Sequence, residues 1–550
     1  MRRHETAVLI VGAGPVGLAL ANELSYRGTE YILIEQGEGK VFFPAGENIF
    51  SRTMEHLRRW GIAAELRRSH AFPPDYPRNI GFCTRVGGWP LALFPGTSNR
   101  DAPTSDIHSP EGGLFFPKKA FDPALRRAAE AKGGDLRYGH RLVSFHQEAD
   151  AVTCVVEDLS GETYTIRANY LAGCDGARSL VRKALNIKYV GTFGEGFNFA
   201  VYFRCAGLRE RLRSMFAVDM AQVHTVCDEN RAYLTSVDGR DEWRFSMYTE
   251  AAGRFDPVDV VAKAIGAGLA FDVLQAQPWT GHRVVAERYR EGRVFLVGDA
   301  NHLRWPKGGF GANTGIGDAV DLGWKLDACL KGWGGESLLD SYQAERRNIA
   351  IRNTNEAANN RAFDHMIQPD PVLERNDQEG RAAREIMKER LFALRQREFV
   401  TLGIQLGYRY NDSPICVADG SLEPPDDHML YFPSTRPGGR APHAQLSDGR
   451  STLDLFGRGF VLLVCDDSAD GKTFIREAER LGIPASQHRL TESDVRKAYE
   501  MPLVLVRPDG HVCWRGTSIP ENLSDIWKTV TGRAALAETQ TDKPSAAFAA

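Results

Sequence analysis

The residues best placed to do chemistry in this chain are gathered around glycines. Gly12, Gly14 and Gly17 interrupt "AVLIVGAGPVGLAL", where an apolar run passes through Pro15 and Val16 into a helical pattern. In a strand-to-helix turn, the first glycine makes the bend and the second lets backbone approach a pyrophosphate. The third allows close packing, and the helix N-terminus faces the anion. The next apolar run, "YILIEQ", ends at Glu35 and Gln36. An acid about twenty positions after the glycines suits ribose hydroxyls and repels a 2'-phosphate, so the resident dinucleotide is read as FAD or NAD, not NADP.

Two later turns repeat the idea. "YLAGCDGARSLVRKALNI" brings Asp175 and Gly176 after a short apolar run, with Ser179 to Leu185 reading as a helix. "GRVFLVGDANH" brings Gly298 and Asp299 after the strand Val294 to Val297, and a glycine-rich turn then leads into "NTGIGDAVDLGWKL". Both turns are assigned to the same nucleotide domain.

These residues need an α/β frame large enough to hold them. The chain has 550 residues, beyond one ordinary core, with 43% hydrophobic and 25% charged residues and a net charge of -3. That balance fits a soluble protein without a nucleic-acid footprint. The opening "MRRHETAVLIVGAG" superficially resembles a signal peptide, but its apolar run is soon broken by glycine, and no stretch approaches the roughly 18 to 20 apolar residues of a membrane span. The expected location is cytoplasmic. Nine scattered cysteines form no CxxC pair and no zinc spacing, so neither a disulfide framework nor a metal site is expected.

The three motifs, in this order over roughly residues 5 to 360, resemble the class A flavoprotein aromatic hydroxylases, the para-hydroxybenzoate hydroxylase family. The resemblance implies FAD, with NADH or NADPH as a transient donor, O2 as co-substrate, an aromatic substrate and often a homodimer. The implied reaction is hydroxylation of a phenolic or related ring through a flavin C4a-hydroperoxide, in some cases with loss of a nitro or halogen substituent. It places Asp299 on the ribityl chain, Gly308 to Thr314 (Gly311, Ala312 and Asn313 among them) against the flavin pyrimidine, Asp175 with Arg178 at the nucleotides, and Pro306 beside the ring system. Two departures stand out: Ala45 where an arginine often sits, and Lys118 where a flavin-contacting glutamine is common. The WxWxIP signature of tryptophan halogenases is missing, and no second Rossmann unit follows.

Residues 190–290 alternate polar and apolar positions in "FNFAVYFRC", "AQVHTVC", "RAYLTSVDG" and "EWRFSMYTE", which predicts an antiparallel sheet. By the resemblance that sheet roofs the substrate. His224, Arg244, Tyr248 and Asn48 are its inward candidates, a His or Tyr being able to relay a phenol proton. Each of them equally suits a structural position.

The expected organisation is an FAD-binding Rossmann-like domain (1–189 and 291–400, the latter with a helical closure), the inserted sheet (190–290), a linker (401–445), a thioredoxin-like domain lacking CxxC (446–535) and a disordered tail (536–550). In the third of these domains "TLDLFGRGFVLLVC" reads as a strand, "DGKTFIREAERLG" as a helix and "MPLVLVRPDGHVCWRG" as a hairpin. "GGFGANTGIGDAVDLGWKL", "AERR" and "STLDLFGRGFVLL" are also similar to tailoring flavin oxygenases of the rebeccamycin type. A tailoring oxygenase acting on a polycyclic natural product is therefore the second reading, and a flavin-binding scaffold without oxygenase activity the third.

Overall fold

The computed structural model describes residues 3–534 apart from 42, 45, 70, 101–106, 229–231, 250–252 and 468; Ala45 and the tail 536–550 lie outside the described residues. The architecture is mixed α/β with three principal sheets. In the first, five strands run parallel in the order Val294–Leu296, Thr163–Gly173, Arg3–Val11, Tyr31–Glu35 and Asp135–Tyr138. Val8, Leu9, Ile10, Leu33 and Ile34 are fully buried, as expected where helices cover both faces of a parallel sheet. Pro15–Arg27, started by Pro15 and stopped by Gly28 at φ 74°, packs against the long helix Phe310–Leu330.

The second sheet has the strand order His302–Leu303, Asp272–Ala286, Tyr189–Arg204, Glu242–Thr249, Ala232–Ser236, Gln222–Thr225, Ile80–Cys83, Pro90–Phe94. It is wider than the 190–290 span read from the sequence, because Ile80–Cys83 pairs parallel to Gln222–Thr225 and brings Pro90–Phe94 with it. Such pairing across more than a hundred residues leaves no local pattern to read. One face buries Phe199, Val201, Phe203, Val223, Leu234, Trp243, Phe245 and Met247 in a single apolar cluster. The other carries Asn198, His224, Tyr233, Thr235, Arg244 and Ser246, which are buried too, and Tyr248, which is half-buried.

The third sheet, ordered Ala485–Arg489, Phe460–Val464, Leu503–Val506, Val512–Gly516, carries helices Lys472–Arg480, Ser493–Tyr499 and Leu523–Val530 in a thioredoxin-like arrangement. The expected strand over "TLDL" is instead a 3-10 turn, Thr452–Leu455, held by a capping box between Ser451 and Asp454; the strand begins at Phe460. Residues 401–445 are not a free crossing. Apart from Leu402–Leu406 they form no described helix, yet Tyr410, Ile415, Thr435, Arg440 and Ala441 are buried against both neighbours.

Candidate active site

The parallel sheet brings the three glycine motifs together at the carboxyl ends of adjacent strands, where open α/β sheets hold nucleotides. Val11 pairs with Gly173 on one side and Ile34 on the other, and Gly173 pairs with Leu296. Gly12, Asp175, Glu35 and Gly298 thus leave the sheet side by side. A Cβ on Gly17 would stand 1.9 Å from the Gly12 carbonyl, and one on Gly12, itself at φ 107°, would stand 2.5 Å from the Cys174 carbonyl. Val16 locks the first loop to the last: side chains on Gly298 or Gly315 would reach within 2.9 Å and 2.6 Å of its methyl groups.

The edges of this cleft suit a large anionic ligand. A Cβ on Gly14, Gly176 or Gly311 would meet nothing within 4 Å, so the backbone there is open to close approach. Gly14 and Gly309 cap their helices without a side-chain acceptor, leaving first-turn N–H groups directed outward. Asp175 accepts from Val181 N at 3.0 Å through one oxygen, while its other oxygen is buried without a partner among the described residues. Arg178 is exposed nearby, and Ser179 caps the following helix by accepting from Arg182 N at 2.8 Å. Glu35 accepts from Ala13 N and Gly37 N, both at 2.8 Å, so the ribose candidate also braces the glycine loop; Gln36 beyond it is exposed.

At the far end, Asp299 and Ala312 are exposed, and the Asp299 carbonyl accepts from the Tyr189 hydroxyl at 2.7 Å. The Asn313 side chain is committed internally: it accepts from Phe50 N at 2.9 Å and Thr53 Oγ1 at 2.7 Å, and donates to the carbonyls of Asn48 at 2.9 Å and Gly309 at 2.8 Å. Any contact it makes with a ring bound here runs through backbone. Lys118 is paired with Asp122, whose carboxyl burial raises to about 6 against the pull of that lysine. A half-buried lysine tied to its own helix replaces the free flavin-contacting side chain expected at 118.

The sheet's polar face lies on the Pro306 side. His224 stacks on Phe82 with ring centres 4.7 Å apart, and burial holds it well below its usual pKa, with Arg395 and Lys307 adding to the effect. It is therefore a neutral imidazole, with Nε2 unpartnered among the described residues. The Tyr248 hydroxyl, Thr235 Oγ1, Thr225 Oγ1 and both ends of the Asn198 amide are likewise buried and unpartnered. Burial pushes the Tyr248 hydroxyl far up, so it stays protonated. Arg244 instead makes a buried ion pair with Glu47, at 2.5 Å and 3.2 Å, and donates to the Pro44 carbonyl at 3.2 Å. That fastens Pro44 and Glu47 to the sheet. Pro306 and Asn48 are exposed, while Trp305 is buried against Gly196 and Gly281, where a Cβ would collide with its ring.

The FAD binding domain family matches residues 5–357, and the C-terminal aromatic-ring hydroxylase family matches residues 434–534. The 4-methyl-5-nitrocatechol 5-monooxygenase of Burkholderia sp is 33% identical, over 96% of this chain and 98% of its own length. The chain belongs to the FAD-dependent aromatic-ring hydroxylases. A putative polyketide hydroxylase of Streptomyces halstedii is 33% identical over 93% of both chains. Among solved structures, RebC soaked with chromopyrrolic acid and carrying 7-carboxy-K252c superimposes with a TM-score of 0.90 at 36% identity, covering 97% of this chain and 100% of that one. A ternary complex of aklavinone-11 hydroxylase with FAD and aklavinone gives 0.81 at 28% identity, covering 97% and 100%.

In this hydroxylase FAD is the cofactor, and the open glycine backbone, the outward helix N-termini and the unpartnered Asp175 oxygen fit it. Reading the sequence missed several residues of the polar face. Tyr233, Thr235 and Asn198 obey the same alternation that singled out His224, Arg244 and Tyr248, so extending the period would have found them. Lys307 follows Pro306 directly and is buried over the rings of Tyr248 and Tyr233, at 5.1 Å and 5.7 Å from their centres. Arg361 lies over Tyr248 at 4.2 Å from the far end of the helix Glu336–Met366, and no local signal announces it.

Proposed function

We propose that this enzyme hydroxylates a single phenolic ring held between the polar sheet face and the Pro306 turn, using O2 and NADH or NADPH. The observation that carries the reading is that face itself: a sheet surface withdrawn from water yet bearing unpartnered Asn198, His224, Thr235 and Tyr248 atoms. Buried polar atoms cost roughly 1–3 kcal/mol each when unpaired, so a face that accumulates them is built to meet a polar ligand. The nitrocatechol named for the Burkholderia relative supports a ring of this kind.

FAD, when bound, supplies electron transfer and oxygen activation. The chain's own share is positioning and exclusion of water. Gly12, Gly14, Pro15, Val16 and Gly17 hold the pyrophosphate, Glu35 the ribose and Asp175 the neighbouring nucleotide atoms. Asp299 would hold the ribityl chain, and the backbone of Gly311 to Asn313, at a helix N-terminus, would hold the pyrimidine. Tyr248 and neutral His224 are the groups able to donate to and accept from a substrate hydroxyl, while Arg244 holds Pro44 and Glu47 in place. In the assembled enzyme residues 1–189 and 291–400 carry FAD, 190–290 with the added strands cover the substrate, and 446–535 serve packing or a homodimer contact. The likeness to RebC favours a second reading, tailoring of a polycyclic aromatic.

The test is NADH and NADPH oxidation by the FAD-loaded protein against phenols, nitrocatechols, hydroxyphenyl acids and polycyclic phenols, with product mass recorded. Stimulated oxidation with a product one oxygen heavier from a one-ring phenol is expected. The same result from polycyclic phenols alone moves the substrate to the second reading, and no stimulation anywhere overturns both.

A further inference from the structure

Between Tyr233, Tyr248, His224 and Phe82 lies a cavity of about 40 Å³ with Lys307 in its wall. A water needs roughly 10–15 Å³ of such space, so this is room for two or three oxygen-sized atoms and not for an aromatic ring. It suits a substituent on a ring. The cavity is lined by aromatic faces and by the unpartnered His224 Nε2 and Tyr248 hydroxyl, with the Lys307 ammonium and the Asp364 carboxylate paired to it among them.

The charges behind that ammonium do not balance. Lys307 Nζ is 2.8 Å from Asp364 and 3.9 Å from Glu398; Arg395 pairs with both acids, and Arg361 stands 3.5 Å from Asp364. Among the described residues the cluster thus sets three buried or nearly buried cations against two carboxylates. An ammonium has three N–H donors, and of the acids among the described residues only Asp364 pairs with Lys307 within hydrogen-bonding reach. Arg361 Nε is also unpartnered. Buried charge is tolerated when paired, so a surplus cation beside a small polar cavity marks the place of an anion.

Resting on the hydroxylase reading above, we propose that Lys307 anchors the substrate by an ionised oxygen on its ring, a phenolate or a carboxylate, seated in the cavity between Tyr233 and Tyr248. The ammonium donates to that oxygen, and the Tyr248 hydroxyl supplies a second donor. Burial, opposed by Glu398 and aided by Arg395 and Arg361, brings Lys307 down to about 8, so it is still mostly protonated at neutral pH. Asp364, Glu398, Arg395, Arg361, Tyr233, Tyr248 and His224 are the groups facing it from the surrounding elements.

The experiment is calorimetric titration of the FAD-loaded enzyme, without NAD(P)H, by two matched pairs: 4-nitrocatechol against its dimethyl ether, and 4-hydroxybenzoate against 4-hydroxybenzamide. In at least one pair the anion is expected to bind about tenfold or more tightly than its neutral partner, a charge-assisted hydrogen bond against a neutral one. Which pair shows it distinguishes phenolate from carboxylate. Lys307→Met should abolish that preference and leave the neutral ligand unchanged, and Lys307→Arg should retain most of it. Equal affinity within both pairs, no binding of either anion, or a preference that survives Lys307→Met overturns the proposal. Should Lys307→Met not fold, the wild-type preference and its retention in Lys307→Arg decide. Because no turnover is needed, failure here is distinguishable from failure to hydroxylate.

Discussion

Two of the clusters of buried charge in this protein are built on opposite terms. Where the helices Phe310–Leu330 and Glu336–Met366 meet the thioredoxin-like domain, Arg507 uses Nε, Nη1 and Nη2 against Asp509, Glu345 and Asp321. Lys325 joins Asp321 at 2.7 Å and Glu345 at 2.6 Å. This cluster has an excess of acid, and burial pushes the Asp321 carboxyl up further than Lys325 pulls it down. Holding a proton there discharges the excess. The Lys307 cluster has an excess of cation, two of its three cations being arginines that cannot deprotonate. At neutral pH a proton on Asp321 discharges the acidic surplus within the fold, whereas Lys307 keeps its charge and leaves a cationic surplus that suits an anion from outside. The first is a staple between domains, the second one side of a binding site.

The largest expected effect tests the staple. Arg507→Met leaves Glu345, Asp321 and Asp509 with Lys325 alone, and should cost about 3–5 kcal/mol in urea unfolding while leaving ligand preference unchanged. A loss below ~1 kcal/mol would dissolve the contrast.

Next comes the stability of Lys307→Met. The folded lysine titrates at about 8 against an ordinary 10.5, so below pH 8 the fold carries the full penalty of a buried charge. That penalty fades as pH rises from 8 toward 10.5, because the native state then sheds the proton before the unfolded chain does. At pH 7 the variant should gain up to about 3 kcal/mol, and the gain should vanish near pH 10.5. A variant destabilised at pH 7 would make Lys307 part of a staple as well.

The smallest effect calibrates both. Arg58 makes a two-pronged pair with Asp454 at 2.7 Å and 2.9 Å, joining the same two domains at the surface. Solvent screening should hold Arg58→Ala to below about 1 kcal/mol by chemical denaturation. A larger loss would place the domain joint at the rim and not at Arg507.

The cofactor cradle was legible because its demands are local. Gly17 is required by the Gly12 carbonyl five residues before it, and Glu35 braces the loop it follows, although Gly12 itself is also hemmed in by the Cys174 carbonyl from a distant strand. The alternation from 197 to 249 announced a sheet with two faces, and His224, Arg244 and Tyr248 share one of them. It did not reveal that Arg244 is spent on Glu47, or that residues 80–94 complete the sheet. Both are pairings between distant segments. Lys118, an apparent departure at the flavin, turned out to be held by Asp122 one helical turn away, an i,i+4 pair that the sequence does display.

By itself, then, the order of glycines, acids and alternating strands determined a dinucleotide-binding frame and a sheet with a covered face, since most backbone turns and strand periods depend on near neighbours; the resemblance those motifs carry added FAD and the substrate. Only the tertiary structure decided which side chains line the substituent pocket. Lys307, Arg361, Asp364, Arg395 and Glu398 come from a turn and two helices, and their charges acquire meaning only when burial removes the water that would otherwise screen them.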